Sequence, residues 1–197
     1  EHKAEGADDW HGFGGPLWVE TFANDQKMDL ADIFIEASIQ CDIPYNEDFN
    51  GASQEGAGYY QTNIRKGRRQ SSARTFLKAC KSRPNLTIIT GALCERVLIE
   101  EGEAIGVEYR VNAKKGSRLE RAYARNETIL CGGVINSPQL LELSGVGDRQ
   151  HLESVGLEVK HHLPGVGENL QDHLTINVQQ GLHGVPTFYE ETRPLAM

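Results

Sequence analysis

Residues 128–147, TILCGGVINSPQLLELSGVG, decide how this chain is read. The apolar run at 128–130 has the character of a buried strand and ends in Cys131, Gly132 and Gly133. A helix is expected a few residues later. Ser137 is a suitable N-cap and Pro138 fits the first helical position. Leu140, Leu141 and Leu143 supply an apolar stripe, and Gly145 closes the helix. Backbone so poor in side chains at a strand end has two explanations. Either small residues let a tight strand–helix turn pack, or a ligand lies against bare backbone at the carboxyl end of a strand, beside the unpaired N–H groups of a helix N-terminus. Spacing alone favours neither.

Upstream, the pattern predicts short strands at 86–90, 93–99, 104–111, 118–124 and 127–131, with turns at 101–103 and 114–116. The adjacent strands joined by tight turns read as an antiparallel meander. Further upstream, Leu30, Ile33, Phe34, Ala37 and Cys41 recur at steps of three and four and predict a helix over 28–41, ended by Pro44. A loop follows at 43–58, then a short strand and turn at 58–70. Ser71 or Ser72 can cap a second helix, with Ala73, Phe76, Leu77 and Cys80 on one face and Pro84 at its exit. Gly12, Gly14, Gly15 and Pro16 mark 8–22 as a loop feeding a strand. Downstream, 148–155 reads as a short helix, 157–167 as strand then loop, and 174–180 alternates like a strand. The expected class is α/β with an α+β part.

At 197 residues, 39% hydrophobic and 24% charged, the chain suits one domain or parts of two. Its net charge of −8 argues against a nucleic-acid surface as the main function. The basic cluster Arg65-Lys66-Gly67-Arg68-Arg69 is the exception, read as a solvated hairpin tip or as an anion site. Cys41, Cys80, Cys94 and Cys131 form no CxxC pair and no zinc set, and are expected to be buried free thiols in a reducing compartment. No apolar run approaches the roughly 18–20 residues that span a bilayer, and no secretory leader pattern is legible. The opening EHKAEGADDWHG reads as mid-chain loop and the closing TFYEETRPLAM lacks a cap or closing strand, so the chain is expected to be a piece of a longer protein.

Several motifs fail on inspection. Gly165-Val166-Gly167 has Leu170 where a dinucleotide fingerprint needs its third glycine, and Gly12-Phe13-Gly14 is followed by Pro16 and Leu17. Leu143-Ser144-Gly145 lacks the earlier glycine of a nucleophile elbow. His161, His162, His173 and His183 match no metal-ligand pattern, and Asp172 beside His173 is the one pair that could orient an imidazole. The residues alone give an α/β piece with one candidate ligand-approach point at 131–133 and no complete catalytic set.

The ordered set of motifs resembles the glucose–methanol–choline (GMC) family of flavin oxidoreductases. The opening stretch is similar to that family's second signature. It is accompanied by Gly15-Pro16-Leu17, Asp48-Phe49-Asn50-Gly51, Gly67-Arg68-Arg69 with Ser71 and Ala73, Arg83-Pro84-Asn85-Leu86, Gly106-Val107-Glu108-Tyr109 and the run from Leu163 to His173. The closest flavour is that of choline dehydrogenases. The resemblance implies FAD on a Rossmann-like domain, an antiparallel-sheet substrate domain, and oxidation of an alcohol by hydride transfer to the flavin. It implies that 1–70 belong to the substrate domain, 71–156 to the FAD domain with its meander, and 157–197 to a crossover back. It places Cys131, Gly132 and Gly133 against the adenosine half of FAD. Cys94 stands where the family has a valine whose backbone N–H and C=O meet the adenine edge. The family's GxGxxG unit, first signature and catalytic histidine are not matched, and none of the seven histidines sits in the corresponding motif, so no catalytic residue and no metal is assigned.

The piece by itself is expected to bind FAD weakly or not at all and to turn nothing over. Edges left by missing strands make a homodimer plausible. The resemblance further implies a small alcohol substrate, quinone or oxygen as electron acceptor, and a cytoplasmic place, with peripheral membrane association if quinone is the acceptor. Nothing implies nucleic acid. The other class of reading is a non-catalytic α/β binding or structural remnant.

Overall fold

The structure is a computed structural model and describes residues 8–21, 29–112 and 117–184. These form two compact units, one reaching Leu86 and resuming at Val178, the other spanning Thr87–Asn177.

In the first unit, helix α1 spans Asp29–Gln40, with Asp29 and Asp32 in its first turn where the dipole favours acids. It buries Ile35 and Ser38 rather than the expected stripe, and Ile33 and Phe34 stay exposed. Burial of Ser38 is tolerated because its hydroxyl donates to the Phe34 carbonyl at 2.8 Å. Asn46 organises the loop that follows. Its side-chain amide donates to Ser53 and Glu55 carbonyls at 2.9 and 3.0 Å, and its Oδ1 accepts the Asp48 N–H at 2.8 Å. A Cβ at Gly58 would lie 1.9 Å from the Asn46 carbonyl oxygen, so only glycine fits. The strand expected after 16 reduces to one bridge, Glu20 to Thr62; Phe22 lies outside the described residues.

The basic cluster is a hairpin, β1 (Ile64–Arg65) with β2 (Arg68–Arg69). Its two-residue turn, Lys66-Gly67, has φ of 51° and 68°, as the right-handed strand twist requires. A π-helical turn, Ala73–Leu77, then runs into α2, Lys78–Cys80. Ser72 makes no side-chain cap; instead the Thr75 hydroxyl donates back to the Ser71 carbonyl at 3.1 Å.

The second unit holds the expected meander: β3 (Ala92–Glu100), β4 (Glu103–Val111) and β5 (Leu119–Tyr123), antiparallel in that order. Glu101 and Gly102, with φ of 51° and 85°, close the first hairpin; the turn expected at 114–116 lies outside the described residues. Arg96, Glu108 and Arg121 are cross-strand neighbours. Glu108 is almost fully buried and takes both guanidiniums, Arg96 Nη2 at 2.5 Å and Arg121 Nε at 2.9 Å. Those two cations hold its carboxyl below the usual carboxylate range, against the opposing effect of burial.

Helix α3 (Gly133–Leu143) packs on β3 and leads to β6 (Val146–Gly147), α4 (Arg149–Ser154) and β7 (His161–His162), which pairs parallel with β6. Asp148 caps α4 by accepting the His151 N–H at 3.0 Å. Leu152 is fully buried, with Val97 and Val146 close behind.

Other expectations are corrected as well. Segments 86–90, 127–131 and 174–180 are not strands, because extended backbone becomes a strand only when another pairs with it and none does among the described residues. The only parallel strand pair there is β6 with β7; an isolated parallel bridge joins Tyr45 to Ala57. Helix α3 begins at Gly133, not after Ser137. Gly133 at φ +83° swings the chain into the helix, and the Ser137 hydroxyl, inside it, accepts the Gly132 N–H at 3.0 Å. Pro138 is interior, so the i−4 carbonyl loses its usual donor. The cysteines are free, but Cys41 and Cys131 are exposed and Cys80 and Cys94 half-buried.

Candidate cofactor-contact site

The four predicted contact residues all lie in the second unit, on β3 and at the entry to α3. The sheet order leaves β3 an edge strand. Its register slips between Cys94 and Arg96, so Glu95 is an extra residue, a β-bulge. Val97, opposite Val107, sends its N–H away from β4 to the Ser144 hydroxyl, 2.8 Å away. Backbone direction alternates along a strand, and the bulge adds one residue, so Cys94, opposite Tyr109, also directs its N–H and C=O outward along this edge. The Cys94 thiol is half-buried and weakly bonded to the Arg96 carbonyl at 3.8 Å; burial raises its pKa, keeping it a neutral thiol.

The two glycines have different duties. A Cβ on Gly132 would meet the Asn136 Cβ at 3.0 Å and the Ser137 nitrogen at 3.2 Å, so Gly132 lets the first turn of α3 close on itself. A Cβ on Gly133 would meet no atom within 4 Å, so Gly133 leaves bare, approachable backbone at φ +83°. The tight-turn explanation therefore fits Gly132, while Gly133 leaves open backbone. Cys131 beside them is exposed, as are Ile129, Val134 and Ile135.

Ser144 ties the two elements together. Its hydroxyl accepts from Val97 on β3 and donates to the Leu140 carbonyl at 2.5 Å, one turn back in α3. Gly145, at φ +86°, ends the helix there. This tie lies at the opposite end of α3 from Gly133, and no hydrogen bond among the described residues joins Cys94 to 131–133. Next to Gly133, Val134 and Ile135 begin a groove of about 540 Å³ between α3 and the loop 165–171, with Glu142 packed against Gly167.

Ser144, the Arg96–Glu108–Arg121 set and this groove were not singled out as site features from sequence. The signal for Ser144 was its place in the Leu-Ser-Gly closure of the helix; the charged set becomes visible only once the strand register is known. No group of three or more potential metal ligands occurs among the described residues, and no helix there is long and apolar enough to cross a membrane.

Residues 3–175 match the family described as GMC oxidoreductase. Oxygen-dependent choline dehydrogenases of Acinetobacter baumannii and Pectobacterium atrosepticum are each 45% identical over 153 and 156 residues. Those alignments cover 77% of this chain and 27% and 26% of the relatives, so the chain spans about a quarter of their length. Among solved structures, pyridoxine 4-oxidase from Mesorbium loti aligns with a TM-score of 0.70 at 33% identity, over 78% of this chain and 29% of that one. An FAD-dependent oxidoreductase from Chaetomium thermophilum aligns with a TM-score of 0.74 at 29% identity, over 82% and 27%.

Proposed function

Because this chain belongs to the GMC oxidoreductase family, we propose that it is part of an FAD-dependent enzyme that oxidises an alcohol, choline or another primary alcohol. The reading is carried by the open backbone at Gly133, where nothing lies within 4 Å of the missing side chain. The outward edge of β3 at Cys94 supports it. Bare backbone at a helix entrance and an outward-facing N–H and C=O pair suit a flat heterocycle with a ribose, so these residues fit the adenosine half of FAD. In this reading Cys94 contributes backbone donor and acceptor, and Gly133 allows van der Waals approach, with Cys131 beside it and Gly132 closing the turn that presents it. Bound FAD would supply the hydride acceptor. The chain's own residues bind and orient, and none is assigned to catalysis.

We assign 1–70 and the crossover 157–197 to the substrate side and 71–156 to the FAD side. Exposed apolar side chains such as Leu174 and Ile176, 92% and 80% accessible, support partners for these faces elsewhere in a longer protein. The alcohol itself and the choice between quinone and oxygen as acceptor rest on family membership alone.

The test uses the full-length protein that contains this chain, assayed for flavin content and for oxidation of choline and simple primary alcohols. Gly133→Leu is expected to lower retained flavin at least tenfold, while Cys94→Val retains it, because the contact is through backbone. Full flavin in Gly133→Leu overturns the assignment. The 197-residue chain alone, gel-filtered after incubation with FAD, is expected to elute without flavin absorbance.

A further inference from the structure

Charge runs along this chain in blocks. Residues 1–55 hold thirteen Asp and Glu against two Lys, and residues 56–94 hold eight Lys and Arg with no acid at all. In the structure Arg65, Lys66, Arg68 and Arg69 stand exposed on the β1–β2 hairpin. Arg74 and Lys78 in the 73–80 helical stretch and Lys81, its C-cap, follow at spacings of four and three, also exposed and so on one side of it. Ala73, Phe76, Leu77 and Cys80 turn to a different side, where they line a groove of about 560 Å³. Elsewhere Arg96, Arg110, Arg118, Arg121, Arg149 and Lys160 each have a carboxylate partner. Among the described residues none of the basic-block cations does; Arg65 lies over the Trp18 ring at 4.2 Å, which leaves its charge uncompensated.

The acidic block has a matching surface. Asp29, Asp32 and Glu36, spaced three and four on α1, are all exposed. Asp32 accepts the Tyr59 hydroxyl at 2.9 Å. No ion pair among the described residues joins this face to the basic one.

We propose that the basic face of the hairpin and 73–80 helix docks on the acidic α1 face of a second copy of this chain, in both directions about a twofold axis. Each exposed ion pair contributes little alone, but the twofold repeats the whole set. With a net charge of −8 the copies repel at long range, so the contact is local, orientation-specific and salt-sensitive. A lipid surface is the weaker fit, because the groove that Phe76 and Leu77 line has only Arg83 beside it, while Arg74, Lys78 and Lys81 lie on another side of the helix.

The test is sedimentation velocity, across a concentration series, of the full-length protein that contains this chain. Dimer affinity is expected to fall at least tenfold between about 0.02 and 0.5 M salt, where the Debye length shrinks from roughly 20 to about 4 Å. Arg74→Glu/Lys78→Glu/Lys81→Glu and Asp29→Lys/Asp32→Lys/Glu36→Lys are each expected to be monomeric, and their equimolar mixture to form a dimer. Circular dichroism verifies folding, and the milder Lys78→Gln/Lys81→Gln, expected to weaken the dimer, replaces any variant that fails. A monomer at low salt, a dimer indifferent to salt and reversal, or a mixture that stays monomeric overturns the proposal. So does a low-salt monomer that instead binds phosphatidylserine vesicles or duplex DNA.

Discussion

Replacing Ser144 by alanine isolates the bond that holds α3 on the edge of β3. Two hydrogen bonds disappear, and they are unequal. The Leu140 carbonyl keeps the Ser144 backbone N–H at 3.1 Å, so it is not orphaned. The Val97 N–H has no such reserve. Val97 is only 6% accessible, and its donor reaches the Ser144 hydroxyl at 2.8 Å on the side away from β4. Stranding a buried donor costs about 1–3 kcal/mol, whereas a serine bonded back to its own helix contributes little and is worth roughly zero here. The expected loss is therefore about 2 kcal/mol. With a urea slope of about 1–3 kcal/mol/M for a small protein, the unfolding midpoint should fall by about 1 M with the slope unchanged. Amide exchange gives the local readout: Val97 should lose protection in the native state, while amides in the β4–β5 ladder keep theirs. Ser144→Thr, which retains the hydroxyl, should recover much of the loss. A Ser144→Ala midpoint within about 0.2 M of the parent, equivalent to less than about 0.5 kcal/mol, would refute the idea that this bond seals the edge.

Further outcomes follow from other sites. Leu152 is fully buried, so Leu152→Ala should cost about 2–5 kcal/mol in denaturant unfolding. Gly106 sits in mid-strand at φ +152°, where a Cβ would fall 2.1 Å from the Ala122 carbonyl oxygen; Gly106→Ala should cost at least about 2 kcal/mol and loosen β5, seen as faster amide exchange along the β4–β5 ladder. His11 lies between two carboxylates, its Nδ1 2.8 Å from Asp8 and its Nε2 2.9 Å from Asp48. The Asp8 hydrogen bond raises the His11 pKa above 6.5, and the same bond pushes the Asp8 pKa down to about 2 from 3.8. The His11 contribution is full below pH 6.5 and fades as pH rises through its raised pKa; that of Asp8 is full above pH 3.8 and fades as pH falls toward 2. Midpoints measured against pH should plateau between those limits, and Asp8→Asn should flatten both flanks. Tyr59, desolvated and bonded to Asp32, is pushed up to about 12, so its ultraviolet titration should lag a free tyrosine, and stability should decline as pH climbs from 10 toward 12.

What the sequence determined by itself was the local structure and the family. The meander was legible because its two-residue turn and its alternating strands are near-neighbour features, and α4 because 148–155 is a single local segment. The family was legible because ordered motifs such as GVINSPQLLELSGVG need no geometry to be recognised. Tertiary structure decided what pairs with what. The apolar runs at 86–90, 127–131 and 174–180 have strand composition, yet a strand exists only where a second backbone completes its hydrogen bonds. The entry to α3 moved to Gly133 because a left-handed glycine and the Ser137 hydroxyl outweigh the cap-and-proline signal that follows them. The separate duties of Gly132 and Gly133 are invisible in the letters GG: one faces the Asn136 side chain and the other faces open space, and only the fold of the chain around them sets those distances.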